Sequence, residues 1–170
     1  DPEAVLVCST GVIGHYLPLE LITSGIPRVA ASLSDSPEAF HAAARAMMTT
    51  DTVAKQSVHE ATLAEGTCRV SGAAKGAAMI GPNMGTMLAV VMTDAVMTPD
   101  QADGTLRMAV DASFNSISVE GHTSTSDTVL LLAGGGGPIV GGDGDLTAIA
   151  AAVACVCRDL ARAIVADAEG

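Results

Sequence analysis

One hundred and seventy residues, 49% hydrophobic and 16% charged, suffice for one globular domain with a real core and argue against a disordered chain. A formal net charge of −11, with no basic run to offset it, argues against nucleic acid, whose phosphates demand a cationic surface. Aromatics are only 2% and tryptophan is absent, so the core must be built from Ala, Val, Leu, Ile and Met.

Residues 4–8 are expected to form a short buried strand ending at Ser9-Thr10-Gly11. Ser36-Pro37-Glu38 then reads as a helix start: a capping serine, proline in the first turn, and an acid near the positive helix end. That helix should cover residues 37–48, with Ala39, Ala43 and Met47 on one face. Thr67-Cys-Arg-Val-Ser71 alternates as a strand. The glycine-rich approach from Lys75 follows, where Gly81 and Pro82 oppose any continuous helix or strand across residues 81–85. Thr86 comes directly after Gly85 and directly before the apolar run 87–92. The chain is thus expected to deliver Thr86 from an irregular loop onto the first position of a buried strand. A threonine there is commonly structural, yet this geometry also suits one that must be presented.

Thr98-Pro99-Asp100 caps a second helix, in which Leu106, Val110 and Phe114 recur every fourth residue. Residues 116–119 alternate as a strand, and 128–133 read as a core strand. The glycine-rich stretch 134–145 lacks the Gly-Lys-Ser/Thr ending of a phosphate loop and reads as a flexible surface connection. Asp145 is expected to cap a long alanine-rich helix over 146–166. Strands and helices mixed without regular alternation, and without an internal repeat, favour an α+β fold.

Cys8, Cys68, Cys155 and Cys157 form no disulfide framework and no zinc spacing. Cys155 and Cys157, two apart on a helix, point to different faces. Reduced thiols, no metal and a cytoplasmic setting are the expectation. No apolar run is long enough for a membrane span. Asp1-Pro2-Glu3 carries no leader, so no signal peptide is expected; without an initiator methionine the chain is expected to be a fragment or a processed product.

As a nucleophile, the neutral Thr86 hydroxyl needs an adjacent base. His15, His41, His59 and His122 show no motif spacing. The base can instead be the threonine's own α-amine, should the Gly85–Thr86 bond be cut, because such an amine titrates at about 7.7–8.0. Gly85 tolerates the strained backbone that exposes a carbonyl to attack.

Five separated segments, in order, resemble the ornithine acetyltransferases, also called bifunctional glutamate N-acetyltransferases, of arginine biosynthesis. They are Cys8-Ser-Thr-Gly-Val-Ile-Gly14 with Leu17-Pro18-Leu19; Met48-Thr-Thr-Asp-Thr-Val53 with Lys55; Lys75-Gly-Ala-Ala-Met-Ile-Gly-Pro-Asn-Met-Gly-Thr86-Met-Leu; Glu120-Gly-His-Thr-Ser-Thr-Ser-Asp-Thr128 with the apolar run to Leu132; and Ala166-Asp-Ala-Glu-Gly170. The resemblance spans the chain. It implies an α+β sandwich of two sheets flanked by helices, of the self-cleaving N-terminal-nucleophile type. Residues 1–85 would belong to an α segment ending at Gly85, and residues 86–170 to a β segment beginning at Thr86, together part of one catalytic unit. The family more often has alanine where this chain has Gly85.

The resemblance further implies ping-pong transfer of an acetyl group from N-acetylornithine to glutamate through an acetylated Thr86. Thr10 and Gly11 would form the oxyanion hole, for which the bland alternative is an ordinary turn. Lys75 would meet a substrate carboxylate, where the default is a solvated surface lysine. Thr49, or Thr50 in its place, would add a substrate contact, and Glu169 would meet the substrate's amino end, against a frayed terminus as the default. The polar loop 120–127 receives no chemical role. No cofactor is implied, acetyl-CoA stays open as a donor, and the α and β segments would associate, as a heterotetramer. The family's measure also implies missing parts at both ends, so these residues alone are expected to be weakly active or inactive. An N-terminal-nucleophile amidase or aminopeptidase, and a non-catalytic fragment of the same fold, are the rival readings.

Overall fold

The computed structural model describes residues 5–11, 14–77, 87–118, 124 and 126–168. Four strands form one mixed sheet in chain order. Strands β1 (Lys55–Leu63) and β2 (Gly66–Lys75) make an antiparallel hairpin, in register from Lys55 against Ala74 to Leu63 against Gly66. Ala64 and Glu65 make the turn, and Gly66 leaves it at φ 144°, a conformation that side chains resist. β3 (Leu88–Thr93) runs antiparallel to β2, with Leu88 opposite Lys75. β4 (Thr128–Ala133) lies parallel to β3, with Thr128 opposite Leu88.

A parallel pair needs a crossover, and α3 (Pro99–Asp111) supplies it. Its start is fixed by a reciprocal capping box: Thr98 accepts from the Gln101 N–H, and Gln101 accepts from the Thr98 N–H. The final helix, α4 (Asp143–Ala166), lies against β1, β2 and α3. Ile149, Val153, Val156, Leu160 and Ile164 recur every three or four residues along it and are fully buried, meeting Val70, Ala74, Ala89 and Val91 of the sheet. Gly72 permits this approach, because a Cβ there would sit 2.5 Å from Val156 Cγ1 and 2.9 Å from Leu160 Cδ1.

The α+β class holds, with a single four-stranded sheet flanked by helices among the described residues. α2 (Pro37–Met47) begins at the expected cap, the Ser36 hydroxyl accepting the Ala39 N–H at 3.1 Å. Its buried residue is Ala44 rather than Ala43, which is exposed.

Three expectations need correction, and one helix has no counterpart in the sequence reading. Residues 5–11 form no strand; Val5, Leu6 and Val7 are exposed and no described strand pairs with them. Leu19–Ala31 forms a helix, α1, despite Gly25 and the internal Pro27, residues that disfavour helices. Residues 116–118 are not extended in a sheet, since Phe114–Ser116 closes into one 3-10 turn that buries Phe114 under the core. Asp145 is not the cap of α4: the helix starts two residues earlier, and Asp145 instead accepts the N–H groups of Ala64 and Gly141. All four cysteines are free, with Cys68 and Cys157 buried. No described helix is long and apolar enough to cross a membrane.

Candidate active site

Lys75 ends β2 and is 4% exposed. Residues alternate across a strand, so the neighbour Ala74 faces α4 while Lys75 points to the opposite side of the sheet. Burial pushes its ammonium below the ordinary lysine range; the charge of Asp51 opposes that shift and the charge of Lys55 adds to it. Among the described residues, no carboxylate lies within ion-pair distance of Lys75.

The other buried lysine is in the reverse situation. Lys55, 2% exposed at the start of β1, donates to Asp51 Oδ1 at 2.7 Å, to Asp167 Oδ2 at 2.5 Å and to the Val53 carbonyl at 3.5 Å. Its donors are fully engaged. Asp51 also accepts the Gly76 N–H at 2.6 Å and the Thr49 N–H at 3.1 Å. Burial alone would raise its carboxyl, but the Lys55 bond, the two backbone donors and the Lys55 charge outweigh it, and the net shift is downward. Asp167 caps the C-terminus of α4 and accepts both the N–H and the hydroxyl of Thr52. Burial opposes its ionisation too, yet Lys55 and Thr52 together bring it down to about 2.

The structure therefore gathers the backbone of Gly76, directly after Lys75, and the backbone of Thr49 around one carboxylate. Thr49 and Thr50 are both exposed. Gly85, Thr86 and Glu169 lie outside the described residues, as do most of residues 119–125. The sheet register sets Leu88, two positions after Thr86 in the sequence, opposite Lys75 across the ladder. Met87 is held from both sides: its N–H donates to Asp127 Oδ1 at 2.9 Å, and its carbonyl accepts the Thr128 N–H at 3.0 Å. Asp127 belongs to the polar loop to which the sequence assigned no chemistry. Thr10 is half-buried and Gly11 exposed, and no hydrogen bond among the described residues joins either to Lys75, Thr49 or Asp51.

Among the described residues no other cluster competes. His59 Nε2 and Ser57 Oγ both meet Asp159 Oδ2, at 2.8 and 2.9 Å. The shared carboxylate, not the imidazole, touches the serine, which is the wrong order for a nucleophile and its base. His41 is exposed and pairs with Gln56 at 2.7 Å. Among the described residues no His, Cys, Asp and Glu side chains gather as a metal site.

The model of the ArgJ family matches residues 1–170. The chain is 46% identical over 169 residues to the arginine biosynthesis bifunctional protein ArgJ of a Synechococcus species, covering 98% of this chain and 40% of that relative. It is 46% identical to the ArgJ protein of Thermosynechococcus vestitus, over all of this chain and 41% of that one. The mitochondrial ArgJ protein of Sordaria macrospora is 43% identical, over 99% and 37% respectively. The chain thus spans about two fifths of the length of these relatives.

Proposed function

This chain belongs to the ArgJ family, and from that premise we propose that it is the central part of an acetyltransferase of arginine biosynthesis that moves an acetyl group from N-acetylornithine to glutamate. One observation carries the reading furthest. A lysine buried to 4% exposure has no carboxylate partner among the described residues, while the lysine beside it has two. A desolvated cation left unpaired suits a ligand that brings its own carboxylate, and both substrates do so.

The chemistry begins at the Gly85–Thr86 bond. The Thr86 hydroxyl attacks the Gly85 carbonyl, the C–N bond breaks, and the resulting ester is hydrolysed by water. Gly85 keeps a carboxylate and Thr86 gains a free α-amine. In transfer, that amine takes the hydroxyl proton as the oxygen attacks the acetyl carbonyl of N-acetylornithine. The amide bond breaks and ornithine leaves with the proton. Glutamate's amine then attacks the acetyl ester, and the hydroxyl is restored. Thr10 and Gly11 stabilise the oxyanion of each addition, and Lys75, Thr49 and Glu169 hold the amino acid. The cycle needs no metal, its compartment is the cytoplasm, and the α and β segments work as a heterotetramer.

The test is Lys75→Met in the protein at the full length of its relatives. Losing one buried charge-assisted contact is expected to raise KM for N-acetylornithine roughly tenfold to hundredfold. An unchanged KM would refute the carboxylate-binding role.

A further inference from the structure

We propose that Asp51, Lys55 and Asp167 form a positioning cluster that fixes the substrate-carboxylate site at Lys75. The inference rests on the transferase reading and extends it to three residues that touch no reacting atom.

Asp51 is the hub. One carboxylate binds the N–H of Gly76, directly after Lys75, the N–H of Thr49, and the ammonium of Lys55. These bonds tie the end of β2 to the segment that enters β1, and so set where the backbone of both candidate substrate residues lies. Gly76 makes its bond at φ 145°, a backbone that side chains rarely adopt, so the turn after Lys75 is specific in conformation as well as in partner. Lys55 relays the arrangement to Asp167 at the end of α4, and Asp167 also grips Thr52. Asp167 stands two residues before Glu169, so the same cluster anchors the chain where it departs towards the third candidate contact.

Charge reinforces position. With Lys75 protonated, the charges of two lysines balance those of two aspartates, although only Lys55 is paired with them and Lys75 feels Asp51 at longer range. Removing the Asp51 charge leaves Lys75 with burial and Lys55 against it, and its proton should be lost at lower pH. Simple stability is a poor reason for such a cluster, because well-packed apolar residues often serve as well or better. Orientation of neighbouring polar groups is what it provides here.

The test compares the parent at full relative length with Asp51→Asn, Lys55→Met, Lys55→Arg and Asp167→Asn. KM and kcat with N-acetylornithine would be measured across pH, alongside the thermal midpoint. Asp51→Asn should raise KM about tenfold with a smaller loss in kcat. Its alkaline rise in KM should begin at lower pH than in the parent. Lys55→Arg should recover most of what Lys55→Met loses. Should Asp51→Asn not fold, Asp167→Asn should show the same KM-weighted loss in weaker form. Unchanged KM and pH profile in these variants, or losses that merely track the thermal midpoint, would overturn the positioning role. A parent that never forms acetyl-Thr86 would instead bring down the transferase reading beneath it.

Discussion

Lys75 and Lys55 show how little a residue type decides alone. Both are lysines at strand ends and both are buried, yet one has spent its donors on two carboxylates and the other has none among the described residues. The sequence gives lysine a default of solvent, and only the fold reverses it. Thr49, Lys75 and Thr86 were legible as candidates because they stand in distinctive motifs. Asp51 and Lys55 lie inside one of those motifs but offered no role, since their meaning depends on a partner over a hundred positions away at Asp167. The cluster also sets an acid limit. The folded Asp167 carboxyl is depressed to about 2 from an ordinary 3.8, so its stabilisation is full above the unfolded value and is lost as pH falls through about 2. The thermal midpoint should therefore decline between about pH 4 and pH 2, and Asp167→Asn should flatten that decline. An equal slope in the variant would assign the acid sensitivity elsewhere.

Elements were read well where a local signal and the tertiary partner agreed. β4 spans the residues its apolar run marked, though as an edge strand with none of its residues fully buried rather than a core strand, and α2 and α3 begin at their expected caps. α1 was missed because Gly25 and Pro27 speak against a helix, and local breakers are overridden when the remaining turns still form. Residues 5–8 failed in the opposite way: the apolar run is strand-like, but a strand exists only with an edge to pair with. The contact between α4 and β2 is the tightest dependence of one element on another. Gly72→Ala would drive a methyl into Val156 and Leu160, and should cost about 1–3 kcal/mol by chemical denaturation. A neutral result would mean that α4 shifts freely across the sheet.

At the scale of the molecule, the sheet joins strands from both sides of Thr86: β1 and β2 before it, β3 and β4 after it. Cleavage at that point would leave two pieces bound through the ladder between β2 and β3 and through α4 over β1. Apolar surface remains open on Leu21, Ile22, Ile26 and Val29 of α1 and on Val58 and Leu132 of the sheet. With the chain spanning about two fifths of its relatives' length, function must be measured on the protein at that full length. The most direct measurement is the intact mass of that purified protein, denatured, before and after incubation with N-acetylornithine, beside its Thr86→Ala variant. The account expects two pieces meeting at Gly85–Thr86, with one acetyl group added to the piece that begins at Thr86, and a single uncut, unacetylated chain in the variant. One intact mass in the parent, or cleavage without acetylation, would contradict it.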